Sequence, residues 1–264
     1  MKMQPMLKYI ISTLFILLVS LGFSQSKPID LQPKDTVTKT EKYGVRVGID
    51  LSKILKSTLD KNYTGLELVG DYRLKSNLYL AAELGNEKST QQEDLYNFTA
   101  SGSYLKLGVD YNTYENWFGM RNLIHIGGRY AYSSFSQTLN NYQLFSTDRY
   151  FEDSDFAAGS NVPVEYKSLN ASWLEAVLGT KVELFHNVYL GASVRLGLLI
   201  TNKDPENFRN LWIPGFNKVT DNSKFGSSYN YSITYFIPLY KKKKEIRKKY
   251  VDQGPQQPPP PPKN

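Results

Sequence analysis

Residues 43–51, with the sequence YGVRVGIDL, decide the fold class because apolar and polar side chains alternate along them. One face would carry Tyr43, Val45, Val47, Ile49 and Leu51. The opposite face would carry Gly44, Arg46, Gly48 and Asp50. A period of two over this length is typical of a β-strand with two chemically different faces.

The same alternation recurs in seven further stretches between residues 63 and 240. We count eight strands, each of about 10–14 residues, which is long enough to cross a bilayer when tilted. The sequence therefore predicts an all-β fold, an eight-stranded antiparallel up-and-down transmembrane β-barrel over residues 43–240.

The predicted connections alternate between long and short along the chain. The long ones lie near residues 53–62, 86–96, 134–168 and 201–225, and shorter ones near 75–77, 113–120 and 185–187. Transmembrane barrels place tight turns on the periplasmic side and long loops outside. This pattern predicts periplasmic termini and extracellular long loops.

The polar face is expected to point into a plugged, salt-bridged lumen. Its charged residues are Arg46, Asp50, Glu67, Asp71, Arg73, Glu83, Lys106, Asp110, Arg129, Glu175, Lys181, Glu183 and Arg195. An eight-stranded barrel is only wide enough for its own side chains, and buried charges persist when they are paired. The alternatives are a narrow ion pathway, or a soluble barrel of the lipocalin kind with its apolar face inside.

Both ends of the chain differ in composition from the alternating body. Lys2 and Lys8 precede an apolar run over residues 9–23, which predicts a signal peptide over residues 1–24, with a single membrane anchor as the alternative. Residues 25–42 are predicted to form a polar periplasmic linker. Residues 241–264 are predicted to form a disordered, basic, polyproline periplasmic tail.

Composition argues against several classes of function. The chain contains no cysteine and two histidines, and its net charge of +7 arises at its ends, with a nearly neutral body. Neither His125 nor His186 lies in a pattern typical of a catalytic triad or a metal site. We predict no enzymatic activity, no cofactor, no bound metal and no nucleic-acid partner.

Aromatic loops and the basic tail are candidate contact surfaces for lipopolysaccharide or a partner protein. These residues are Tyr150, Phe151, Trp212, Phe216, Lys241, Lys242, Lys243, Lys244, Arg247, Lys248 and Lys249. The alternatives are loops that cap the barrel by packing on one another, and a solvated charge run. Thr36, in Asp35-Thr36-Val37, is a candidate O-glycosylation site.

The Phe-Ser-Gln ending of the signal, the Tyr-rich alternating strands and the Lys-rich segment after Leu239-Tyr240 carry a resemblance. The chain resembles small eight-stranded outer-membrane β-barrels of Bacteroidota, and most closely a family classed as a domain of unknown function. The plugged lumen, the aromatic loops and the extended tail predict a non-enzymatic accessory or structural subunit of a larger outer-membrane complex. The resemblance makes the barrel assembly machinery the first choice of that complex. The alternatives are a stand-alone surface barrel of the adhesin or stress type, or a narrow channel, and last a lipid-modifying enzyme.

Overall fold

The computed structural model describes residues 39–114, 121–145, 156–205, 207–219 and 223–244. The strands are β1 (Lys39–Asp50), β2 (Tyr63–Arg73), β3 (Leu78–Gln92), β4 (Tyr96–Asn112), β5 (Leu123–Phe145), β6 (Phe156–Ser160), β7 (Val164–Phe185), β8 (Val188–Asn202), β9 (Trp212–Ile213), β10 (Asn217–Lys218) and β11 (Phe225–Lys244). One helix, α1 (Leu51–Leu59), is present in the described part of the chain.

Eight of these strands pair side by side in a closed ring. The order is β1, β2, β3, β4, β5, β7, β8 and β11, and β11 pairs with β1. The all-β, antiparallel class predicted from the alternation is confirmed. Consecutive strands of the ring from β1 to β11 pair antiparallel, so β1 begins and β11 ends at the same end, here called the terminal end. We call the opposite end the plug end.

The predicted alternation of long and short connections is wrong at one hairpin. β3 runs to Gln92 and β4 begins at Tyr96, so the expected loop over residues 86–96 shrinks to residues 93–95. Polar side chains continue the pairing where the apolar pattern stops, and the hydroxyls of Thr90 and Thr99 lie 2.9 Å apart across the two strands. The connection between β4 and β5, at the terminal end, is longer.

The two faces of the ring have opposite chemistry. Exposed apolar side chains cover the outside and include Val47, Leu66, Leu68, Leu80, Leu84, Leu105, Leu107, Ile126, Tyr130, Leu174, Leu178, Leu196, Tyr229 and Tyr231. Buried charged side chains point inward from the same strands. A barrel of the lipocalin kind, with its apolar face inside, has the opposite arrangement.

Helix α1 replaces the loop that the sequence predicted after β1. The Asp50 carboxylate accepts a hydrogen bond from the Ser52 backbone N–H at 2.7 Å and caps the helix. Leu51, expected to continue the strand, is instead the first residue of the helix. No helix of the described residues is long and apolar enough to span a membrane.

The strands also extend past the predicted limits of the barrel. β1 starts at Lys39, inside the expected linker, and β11 continues through Lys244, inside the expected tail. Tyr43 and Tyr240 stack with ring centroids 5.4 Å apart, and the Lys242 ammonium lies 5.1 Å from the centre of the Tyr43 ring. These contacts join the two strands at the terminal end. The predicted signal peptide lies outside the described residues.

Candidate functional site

The middle of the ring holds a continuous network of buried ion pairs. The guanidinium of Arg195 lies 2.5 Å from Glu83 and 3.6 Å from Glu175. Glu175 also accepts from the Lys106 ammonium at 2.8 Å. Arg129 donates to Asp110 at 2.9 Å and to Glu83 at 3.4 Å. Each charge therefore faces an opposite one, as buried charges require.

A second group of charges lies closer to the terminal end. Asp71 accepts from Arg46 at 2.8 Å and from Lys181 at 2.6 Å, so one carboxylate holds two cations. Arg73 lies outside this group, because it donates to Glu41 at 2.6 Å and to backbone carbonyls. Glu183 accepts from the Asn187 backbone N–H in the β7–β8 turn. Both of these residues lie at the margin of the predicted network.

A third cluster lies toward the plug end and joins two buried carboxylates. The Tyr104 hydroxyl lies 2.5 Å from Glu67 and 3.1 Å from Glu87. Asn230 donates to Glu67 at 3.2 Å. The Lys53 ammonium, from α1, lies 2.5 Å from Glu87.

The ion pair between Lys53 and Glu87 is shielded from solvent. The Lys53 side chain is 13% exposed and the Glu87 side chain has no exposed surface, so the ammonium neutralises the carboxylate inside the ring.

The connection between β8 and β11 folds into the plug end. We call residues 207–219 the plug. Pro214 and Gly215 occupy a turn in which the Phe216 N–H donates to the Ile213 carbonyl at 3.0 Å, and Gly215 has a φ of 84°. Pro-Gly with positive φ at the glycine is typical of a type II turn. A Cβ at Gly215 would lie 2.6 Å from the Tyr104 ring, so the turn rests directly on that ring.

The plug forms an apolar core inside the ring. Phe216 packs edge-on against Trp173, with ring centroids 5.6 Å apart. The expectation that Trp212 and Phe216 are exposed contact residues is wrong, because both are buried. The alternative, a connection that caps the ring, describes them correctly. Trp212 and Phe216 pack against residues of strands that lie far away in sequence. The sequence of the loop alone therefore did not reveal that the two side chains are buried.

The remaining predicted contact residues have different outcomes. Lys241, Lys242 and Lys243 are exposed at the end of β11, and Lys244 is its last residue. Outside the described residues lie Tyr150, Phe151, Arg247, Lys248, Lys249 and Thr36. Exposed lysines thus remain available for contact at the terminal end.

A polar cavity lies in the middle of the ring. The described residues that line it include Asp71, Asp110, His125, Lys181, Ser232 and Thr234. Cavities with this lining suit ordered water. His125 is buried, 3.9 Å from Asp110. Within the described ranges, no group of three or more acidic or histidine side chains is placed to hold a metal ion.

Sequence reasoning missed Lys53, Glu87 and Trp173 as members of the interior. Glu87 continues the inward series Glu83 and Gly85, so extending the alternation two residues further would have found it. Lys53 required the helix, whose signals are the Asp50 cap and the spacing of Leu51, Leu55 and Leu59. Trp173 donates to Glu175 at 2.6 Å and lies two residues before it on the same face, so extending the alternation back by one step would have found it.

Residues 6–242 match the model of a family described as a domain of unknown function (DUF6048). No curated protein and no solved structure matches the chain.

Proposed function

This chain belongs to the DUF6048 family, a domain of unknown function, and we propose that it is a non-enzymatic β-barrel of the bacterial outer membrane that serves as an accessory subunit of a larger complex. The observation that carries the proposal is the ring itself, apolar outside and charged inside. Apolar side chains exposed around a whole ring are unfavourable in water, whereas a bilayer would bury them. Paired charges inside remain shielded from the lipid.

The filled interior favours a structural role over a channel. The ion-pair network occupies the middle of the ring, and the plug occupies one end. A path for ions would have to break buried pairs, and breaking one such pair costs about 3–5 kcal/mol. We therefore favour the accessory role over a channel and over a stand-alone surface barrel.

Surfaces at both ends support a role in a complex. At the terminal end, the exposed Lys241, Lys242 and Lys243 would lie in the periplasm. At the plug end, the β3–β4 hairpin extends beyond the apolar outside of the ring. The barrel assembly machinery remains our first choice of host, by analogy with other machines of that membrane that recruit small barrels.

Reconstitution tests the barrel and its closed interior together. The purified full chain is folded into lipid vesicles and into planar bilayers, with a porin prepared in the same way as the control for channel detection. We expect a folded form that migrates differently in gels before and after boiling, and no stable conductance. Reproducible conductance steps would contradict the filled interior, and failure to insert into lipid would contradict the membrane barrel.

A further inference from the structure

Helix α1 takes the place of a strand in the wall of the ring at the plug end. β1 pairs with β2 from Val45 opposite Tyr72 to Ile49 opposite Leu68. The start of β2 pairs with β3 on its other side, where Tyr63 faces Ser89. On the β1 side the helix lies against this segment.

A helical side chain satisfies the backbone of β2 at this position. The Gly65 N–H donates to the Ser57 hydroxyl at 2.8 Å, and that hydroxyl lies 3.3 Å from the Gly65 carbonyl oxygen. The helix also packs against β11, the neighbour of β1 on the other side of the ring. At the plug end the wall therefore consists of strands and one helix.

The helix turns its cations toward the interior. Lys53 pairs with Glu87, whose side chain has no exposed surface. The Lys56 ammonium lies 4.1 Å from the centre of the Tyr63 ring and 4.7 Å from that of Trp212. Both lysines are thus engaged by groups of the ring and the plug.

The exposed residues on the outward side of the helix are Leu55, Leu59 and Thr58, and the Thr58 hydroxyl donates to the Ile54 carbonyl oxygen at 2.9 Å. Leu55 is 56% exposed and Leu59 is 84% exposed, and residues four apart lie on one face of a helix. No residue of α1 is buried. A helix facing water normally has the reverse arrangement, with leucines against the protein and lysines outside.

This apolar face continues the apolar outside of the ring. On one side the face adjoins Leu66, which is exposed. Leu66 follows Gly65, whose backbone N–H donates to the Ser57 hydroxyl. On the other side the face adjoins β11. Gly48 of β1 lies against the backbone of Ile233 and Thr234 in that strand. The antiparallel course of the two strands then places Tyr231 beside the start of α1. The outward surface thus passes from strand to helix without an intervening charge.

We propose that Leu55 and Leu59 contact the acyl chains of the membrane, so that α1 is a lipid-facing segment of the wall. This inference rests on the proposed membrane location of the ring. Lipid is the occupant that the observations favour, because the face adjoins the apolar outside of the ring and presents no charge. A surface for phosphate groups would present the two lysines that α1 holds inside.

The chain contains no cysteine, so single cysteines can report the surroundings of chosen positions. The full chain with Leu55→Cys or Leu59→Cys is labelled with an environment-sensitive fluorophore and reconstituted in vesicles with or without brominated phosphatidylcholine. Leu68→Cys, on the outside of β2, is the control for lipid contact. Lys61→Cys, exposed after the helix, is the control for water. Gel mobility before boiling verifies folding of each variant.

We expect bromolipid to quench the labels at positions 55 and 59 to within about a factor of two of the label at 68. The label at 61 should respond to aqueous iodide instead. If iodide quenches the labels at positions 55 and 59 while bromolipid quenches the label at position 68, the lipid contact of α1 is overturned and the membrane location of the ring stands. Iodide quenching at 68 as well would overturn the membrane location. If Leu55→Cys fails to fold, Leu59→Cys decides, because its side chain is almost fully exposed.

Discussion

Lys53 and Glu87 pair at 2.5 Å between a helix and a strand that are consecutive neither in sequence nor in the ring. Lys53 follows β1 in α1, Glu87 lies on β3, and β2 stands between these two strands in the ring. The Glu87 carboxylate also accepts from the Gly215 backbone N–H of the plug at 3.3 Å. One carboxylate therefore ties the helix and the plug to the wall.

Replacing Lys53 should destabilise the protein strongly. Lys53→Met leaves the Glu87 carboxylate buried without its cation, and we expect a loss of about 3–5 kcal/mol in the free energy of unfolding. Urea unfolding in detergent micelles, followed by tryptophan fluorescence, measures it. Lys75→Met, in an exposed turn, is the matched control and should change little. A double variant with Glu87→Gln should recover much of the loss, and an unchanged loss would contradict the pairing.

The sequence predicted some features of the cluster around Glu87, but other features depend on the tertiary structure. The alternating faces predicted strands with one apolar and one charged face, because each strand carries that information locally. The contacts of Tyr104 with Glu67 and Glu87 join three strands, and Phe216 meets Trp173 across the ring. Such contacts depend on strand register and on how a long connection folds back, which no local pattern encodes.

Phe216 should matter far more than a phenylalanine on the outside. Phe216→Ala removes a ring buried against Trp173, and we expect a loss of about 3–5 kcal/mol in unfolding free energy. Phe225→Ala, whose ring is 68% exposed on the outside, is the matched control and should cost less than Phe216→Ala, because it leaves no cavity. Unfolding in the same micelles compares the two, and equal losses would contradict the buried plug.

Two glycines in neighbouring strands should respond in opposite ways to a methyl group. A Cβ at Gly85 would lie 2.3 Å from the Tyr104 ring, so Gly85→Ala should cost about 1–3 kcal/mol by overpacking. At Gly70 the nearest atom would be the Arg46 carbonyl oxygen at 3.4 Å, so Gly70→Ala should be neutral or stabilising by about 0.4–1 kcal/mol. Thermal gel-shift midpoints rank the variants, and a reversed order would contradict the packing around Tyr104.

Affinity purification from the native outer membrane in mild detergent tests the accessory role most directly. A tag inserted at the tip of the β3–β4 hairpin, after Asp94, leaves the ring and both termini free. We expect outer-membrane proteins to co-purify in fixed ratio with the full chain, and to be reduced in a matched chain that ends at Lys244 and still folds. Recovery of the full chain alone, at native expression, would contradict the accessory role.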